Sequence, residues 1–258
     1  VVRGEARKPR LVAVVLTKDE ERHLPGCLES LRWADQVLVF DSFSTDHTVE
    51  IARAWGARVV QHPFVNYAQQ RQAALEAAGG DWVFFVDADE RVTPELVAEV
   101  QEVIRQESPV GWWVPRRNII VGRWIRHAGW YPDYQLRLMR PSRARYDPTR
   151  EVHELVVLQG EEGYLRSELV HYNYDTWGEF LRKQARYAPL EARVLRHQGV
   201  RARPRHLLLQ PLREFRRRYL ALQGYRDGLH GLLLSLFMAW YQALVYWRLL
   251  HLPERQDL

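Results

Sequence analysis

Cysteine is almost missing from this chain: Cys27 is the single one in 258 residues. One thiol excludes an intramolecular disulfide framework and leans towards a reducing compartment. Lysine is nearly as scarce. Lys8, Lys18 and Lys183 stand among 37 basic residues, so arginine carries the positive charge, a bias that by itself says nothing about chemistry. No apolar segment of signal-peptide length follows the basic start Val1–Arg10, because Leu11–Leu16 is too short, and no secretory signal is expected. Internal repeats and long low-complexity linkers are missing too. What is present is enough apolar sequence, 47%, with 27% charged, for one substantial core and an appendage. The net charge of +5 suggests an anionic partner, although the distribution matters more than the sum.

Through the first ~110 residues strand and helix signals alternate. Leu11–Leu16, Val37–Phe40 and Arg58–Gln61 are short β-type runs. Glu20–Leu31, Thr48–Trp55, Asn66–Ala78 and Pro94–Gln106 have helical spacing, with Thr93 as an N-cap before Pro94 and Gly79-Gly80 closing the preceding helix. Such alternation predicts a mostly parallel, doubly wound α/β sheet. From Gly111 to about Tyr174 the pattern breaks into short extended pieces, which predicts a second, mixed half of the same domain. Thr176–Gln198 is helical again, with Phe180, Ala185, Ala188, Ala192 and Leu195 available for burial. The expected division is residues 1–110, 111–175 and a helical tail, 176–258.

The run Trp82-Val-Phe-Phe-Val-Asp-Ala-Asp-Glu-Arg91 reads as a buried strand ending in two carboxylates. In an extended chain Asp87 and Asp89 share one side and Ala88 points away. Open α/β sheets bind ligands at such carboxyl ends, and hard divalent cations favour carboxylate oxygens. A turn-capping role for the same pair is the competing reading. Thr17-Lys-Asp-Glu20 ends the first strand, where it can meet a nucleotide or simply cap a helix. Asp41-Ser-Phe-Ser-Thr-Asp46 ends the second. Capping accounts for part of the latter cluster but not for Asp41, which can accept hydrogen bonds from a ribose or base. Arg71 can pair with a diphosphate or a carboxylate, or be solvated on its helix.

Together these residues resemble the inverting family 2 glycosyltransferases of GT-A fold, in particular the branch of lipopolysaccharide-core β-glucosyltransferases. The matching pieces are Leu16-Thr-Lys-Asp-Glu-Glu21, Phe40-Asp-Ser-Phe-Ser-Thr-Asp46 with Thr48, Asn66-Tyr-Ala-Gln-Gln-Arg71 and Val86-Asp-Ala-Asp-Glu-Arg91. They continue with Arg117-Asn118, Trp130-Tyr-Pro-Asp-Tyr-Gln-Leu-Arg-Leu138, Val152-His-Glu154, Arg186-Tyr187-Ala188 and Tyr225-Arg-Asp-Gly228. Lys18 departs from a common Asn and Phe43 from a common Gly; Lys18 can alter the nucleotide pocket.

The resemblance implies a nucleotide-sugar site of Thr17, Glu20, Asp41, Arg71, Asp87 and Ala88. It implies a Mg2+ or Mn2+ ion held by Asp89 and Asp87 against the diphosphate, with His153 as a third ligand or a diphosphate contact. Asp133 is the expected base for the acceptor hydroxyl, after the aromatic pair Trp130-Tyr131, which can stack on a sugar, and the stiffening Pro132, with Glu154 as runner-up. Arg137 and Arg140 either bind phosphate or solvate an edge strand.

The implied reaction moves a sugar, UDP-glucose being the favoured donor, to a lipid-linked saccharide or lipopolysaccharide-core-like acceptor. A polyprenyl-phosphate acceptor and a non-catalytic nucleotide-sugar-binding or scaffold protein are the alternatives. Arg201–Arg218 holds seven arginines against one acid and precedes the apolar Leu229–Leu252. His230, Ser235, Gln242 and Arg248 interrupt that apolar run, and its aromatics suit an interface. A membrane-surface role for 201–252 is expected, with a packed helix, a homo-oligomer contact or a true span as the other options. That places the protein in the cytoplasm, peripheral at the inner face of the cell membrane. No nucleic acid partner is expected, since stacking aromatics do not alternate with the charge.

Overall fold

Short β-branched runs separated by helical spacing fold here as a layered α/β structure. The computed structural model describes residues 8–147 and 156–252, and the chain divides into two compact units: Val1–Arg116 with Asp133–His171, and Arg117–Pro132 with Tyr172–Leu258. The division by role at residues 110 and 175 is a separate matter from these compact units.

In the first unit β1 (Leu11–Thr17), β2 (Gln36–Asp41), β3 (Arg58–Gln61) and β4 (Trp82–Asp87) are all parallel, in the order β3-β2-β1-β4. α1 (Leu24–Ser30), α2 (Thr48–Ala54) and α3 (Tyr67–Ala78) connect them. β5 (Glu90–Val92) and α4 (Pro94–Val103) follow. β1 and β4 are buried on both faces. Leu11, Ala13, Val15, Trp82, Phe84 and Val86 pack with α1 and α4, whereas Val12, Val14, Val83 and Phe85 pack with α3. Each large side chain buried this way stabilises the fold by about 2–3 kcal/mol.

Beyond β4 the sheet turns mixed. β6 (Gly111–Ile120) and β4 both run antiparallel to the later strand Asp133–Met139. With β7 (Arg123–Trp124) intervening in sequence, that strand is β8. β9 (Ala144–Tyr146) and β10 (Val156–Leu158) form a separate two-stranded ladder. β11 (Glu162–Tyr164) is parallel to β6, and the start of β12 (Leu169–Tyr174) is antiparallel to β5. The Rossmann-like parallel strands β3-β2-β1-β4 and the mixed strands beyond them are the two halves that the alternation and its break predict. The sheet as a whole is mixed and not mostly parallel, because the strands after β4 join it largely through antiparallel pairings.

In the second unit β7 pairs with the end of β6. α5 (Trp177–His197), α6 (His206–Arg216) and α7 (Gly228–Leu250) follow. Phe180 with Leu234, and Ala188 and Ala192 with Val245 and Leu249, join α5 to α7. Ala185, expected to be buried, is exposed, because it lies at the flank of the stripe that Phe180 and Ala188 define. The first helix begins at Leu24 and not at Glu20, with Pro25 in its opening turn. α3 and α4 start as expected, capped by Asn66 and Thr93. By length and composition alone, α7 with the turn before it, Gly224–Leu250, is long and apolar enough to cross a membrane.

Candidate active site

Register brings the site together. Thr17 lies beside Asp41, and Leu16 beside Asp87, so the carboxyl ends of β2, β1 and β4 form one polar edge. This is where open α/β sheets hold ligands. Thr17 is not a helix cap: its hydroxyl donates to Asp41 Oδ1 at 3.0 Å. Asp41 is fully buried, and both its oxygens are engaged. The Ser44 amide and Gln61 Nε2 donate to Oδ2 at 2.9 and 3.1 Å, and the Ser44 hydroxyl joins Thr17 on Oδ1. A carboxylate offers about four acceptor positions, so a nucleotide contact there would displace one of these donors.

The neighbouring polar residues fasten two loops to each other. Asp19 accepts from the Thr45 amide at 2.7 Å, and Thr48 Oγ1 accepts from the Glu20 amide at 2.8 Å. The two departures from the family pattern touch: Lys18 Nζ donates to the Phe43 carbonyl at 2.7 Å. Phe43 has φ +58°, in the left-handed region where glycine is at home.

The strand β4 ends at Asp87, and Ala88-Asp89 form a turn, so turn chemistry and ligand chemistry share the motif. Ala88 is buried. The two aspartates differ sharply. Arg137 grips Asp87 with two N–H groups, one at 3.1 Å from Oδ1 and the other on Oδ2, and Arg71 adds a third at 3.3 Å. Burial opposes ionisation of Asp87, but Arg137 and then Arg71 outweigh it and hold the carboxyl well below the usual carboxylate range. Arg137 is itself buried and also donates to Glu90 at 2.6 Å. It neither solvates an edge strand nor stands free for phosphate, which corrects both expectations for it. Arg140 likewise caps Gln106 O at 2.8 Å and lies over the Trp82 ring.

Among the described residues Asp89 has one ionic partner, His171, whose Nε2 lies 3.3 Å from Oδ2. The antiparallel pairing of β12 with β5 sets His171 opposite Glu90 and so beside Asp89. A carboxylate and an imidazole make a donor set that fits a divalent cation completing its shell with diphosphate oxygens and water. Burial first, then the charges of Asp89 and Asp87, push the Glu20 carboxyl up to about 7. His153 and Glu154 lie outside the described residues.

Asp133 opens β8. Arg116 donates to its Oδ2 through Nε at 2.9 Å and Nη2 at 2.6 Å, and Gln135 Nε2 donates to Oδ1 at 3.0 Å. In the second unit Trp130 packs on Phe180 and Tyr131 meets Trp124 edge-on, so the expected sugar-stacking pair is instead engaged in packing. Asp227, in the Tyr225–Gly228 piece, accepts from the His127 amide at 2.8 Å and is a buried structural carboxylate. Arg116, Glu90 and His171 escaped the sequence reading. The signal for one side of this group is present: Asp133, Gln135 and Arg137 alternate along β8 and share a face.

The fold and this edge of carboxylates define an α/β protein whose candidate ligand site lies at the carboxyl ends of parallel strands. The sequence matches the description "Glycosyl transferase family 2" over residues 12–160. A relative in Rhizobium meliloti (strain 1021), "Lipopolysaccharide core biosynthesis glycosyltransferase LpsC", is 32% identical over 91% of this chain and 89% of its own length. The chain therefore belongs to glycosyltransferase family 2 and is a glycosyltransferase. An uncharacterized glycosyltransferase of Rickettsia bellii is 34% identical over 41% of this chain and 36% of its own. Among solved structures, residues 1–349 of Staphylococcus aureus TarS align over 93% of this chain and 91% of that one, at TM-score 0.47 and 16% identity.

Proposed function

We propose that this glycosyltransferase moves a sugar, glucose being favoured, from its UDP conjugate to a lipid-linked saccharide or lipopolysaccharide-core-like acceptor, with inversion in a single displacement. Residues 1–110 would form the donor half and 111–175 the acceptor half. The observation that carries the reading is the unequal treatment of the aspartate pair. Asp87 is neutralised from within by Arg137 and Arg71, whereas among the described residues Asp89 faces a single imidazole. That supports Asp89 as the cation ligand, with Asp87 as the anchor of the corner and a neighbour of the nucleotide.

When bound, Mg2+ or Mn2+ would supply Lewis-acid stabilisation of the departing diphosphate. Thr17, Glu20 and Asp41 would hold the uridine part, and Arg71, paired with Asp87, would be near the diphosphate. Asp133, its carboxylate held by Arg116 and Gln135, takes the acceptor proton. Glu154 is the alternative base. The Rhizobium relative's role in lipopolysaccharide core biosynthesis supports a core-like acceptor.

The second unit supports a site of action at the inner membrane face. α6 buries none of its residues fully, and Leu208, Leu209, Leu212 and, just beyond it, Leu220 are each at least half exposed. Arg213, Arg216 and Arg217 line the same surface groove, of about 700 Å³. On α7, Leu229, Leu236, Trp240 and Trp247 are exposed at spacings that fall on one helical stripe. Apolar side chains ringed by arginines suit an anionic bilayer surface.

A panel of UDP- and GDP-sugars with Mn2+ and detergent-dispersed, core-truncated lipopolysaccharide tests the reading. UDP-glucose should be consumed with a glycosylated lipid as product. No turnover of any uridine donor would sink it, and turnover onto polyprenyl phosphate alone would replace the acceptor.

A further inference from the structure

Six side chains of alternating sign run without a break through the first unit. In order they are Asp133, Arg116, Glu90, Arg137, Asp87 and Arg71. Arg116 Nη1 lies 3.5 Å from Glu90 Oε1, and Arg137 Nη2 lies 2.6 Å from the same oxygen. Glu90 Oε2 accepts the Asp87 amide at 2.9 Å. Glu90 is wholly buried and Arg137 is 3% exposed. Three carboxylates and three guanidinium groups balance, so every buried charge has a counter-ion.

Such a network is a poor choice for stability alone. Desolvating charges costs nearly as much as their attraction returns, and apolar residues of equal volume often serve better. What it does supply is orientation. Arg116 directs two N–H groups to one oxygen of Asp133 and Gln135 one N–H to the other, which fixes the plane of the carboxylate. The direction of attack is thereby fixed, and alignment of reacting groups is a large contribution to rate.

We infer that Arg116 and Glu90 are positioning residues of the transfer step. Arg116 aims Asp133 at the acceptor hydroxyl. Glu90, shared between Arg116 and Arg137, ties that aim to the Asp87–Asp89 corner where the donor is held. The inference rests on Asp133 being the base. It extends the site from the edge of the parallel strands to the mixed half of the same unit.

Arg116→Lys is the informative change, because lysine keeps the charge and loses the fork. Single-turnover transfer from UDP-glucose with Mn2+ to core-truncated lipopolysaccharide should slow by about 10–100-fold, with KM for UDP-glucose within about twofold. Combined with Asp133→Asn, it should slow the reaction no further than Asp133→Asn alone. Glu90→Gln should raise donor KM and lower kcat together; should that variant not fold, the Arg116→Lys series decides. An unchanged kcat in Arg116→Lys, with Asp133→Asn inactive, overturns the positioning role and leaves the base assignment standing. Full additivity of the two changes also overturns it. Near-full transfer by Asp133→Asn would remove the base and this inference with it.

Discussion

Arg137 and Arg216 carry the same charge and are used in opposite ways. In the first unit Arg137 is buried, shared by Asp87 and Glu90, and held more strongly protonated than a free guanidinium: burial works against it, and the two carboxylates outweigh burial. In the second unit Arg213 and Arg216 are exposed and have no ion pair among the described residues, with leucines beside them. One set of arginines organises acids within the protein. The other is exposed, where the proposed anionic membrane surface would meet it. Net charge alone could not have separated these uses, since both sets add equally to the total of +5.

Removing the acid that neutralises the buried Arg137 should have the largest effect on stability. Asp87→Ala leaves Arg137 deprived of its bidentate partner, and is expected to cost about 3–5 kcal/mol in urea unfolding. Asp89 is as exposed as Asp87 but has a single, longer pair with His171 among the described residues, so Asp89→Ala should cost about 1 kcal/mol or less. Equal losses for the two would erase the distinction between anchor and ligand.

Next in size is the exposed set. Arg213→Gln with Arg216→Gln should weaken binding to vesicles containing phosphatidylserine by roughly 30-fold, at about 1 kcal/mol per arginine. Urea stability should stay within about 0.5 kcal/mol. Vesicle binding that ignores the double change would argue for a protein partner on this face.

A smaller effect follows from Glu20. Its folded value of about 7 lies above the ordinary 4.5, so the folded state takes up the proton more readily than the unfolded chain. The stability it contributes is full below about pH 4.5 and is lost as pH rises through about 7. Glu20→Gln cannot ionise. It should match the wild type near pH 4 and exceed it at pH 8 by about 1 kcal/mol, after allowance for partial exposure. The same variant should bind UDP less tightly. Identical urea midpoints for wild type and Glu20→Gln at both pH values would mean that neither burial nor the neighbouring aspartates raises the Glu20 carboxyl.

Much of the parallel half was legible because its signals are local. A strand buried on both faces is a continuous apolar run, and the abrupt acids at its end mark the edge of the sheet. Asp41 stood out for the same reason. Arg116, Glu90 and His171 were hidden because their partners depend on antiparallel pairings across tens of residues: β8 with β6, and β12 with β5. Arg137 was visible as a charge, but whether it is solvated or buried is decided by those strands. Trp130 looked like a sugar platform and proved to be packing against Phe180, a choice that chain-local reasoning cannot make.

The central claim is that Asp89 takes the cation while Asp87 belongs to the protein's own charge network. Manganese EPR titration in the presence of UDP tests it most directly, comparing the wild type with Asp89→Asn under conditions where both remain folded. The account predicts that Asp89→Asn weakens Mn2+ binding by about 100-fold or more with unfolding behaviour nearly unchanged. Mn2+ binding by Asp89→Asn at wild-type affinity would contradict it.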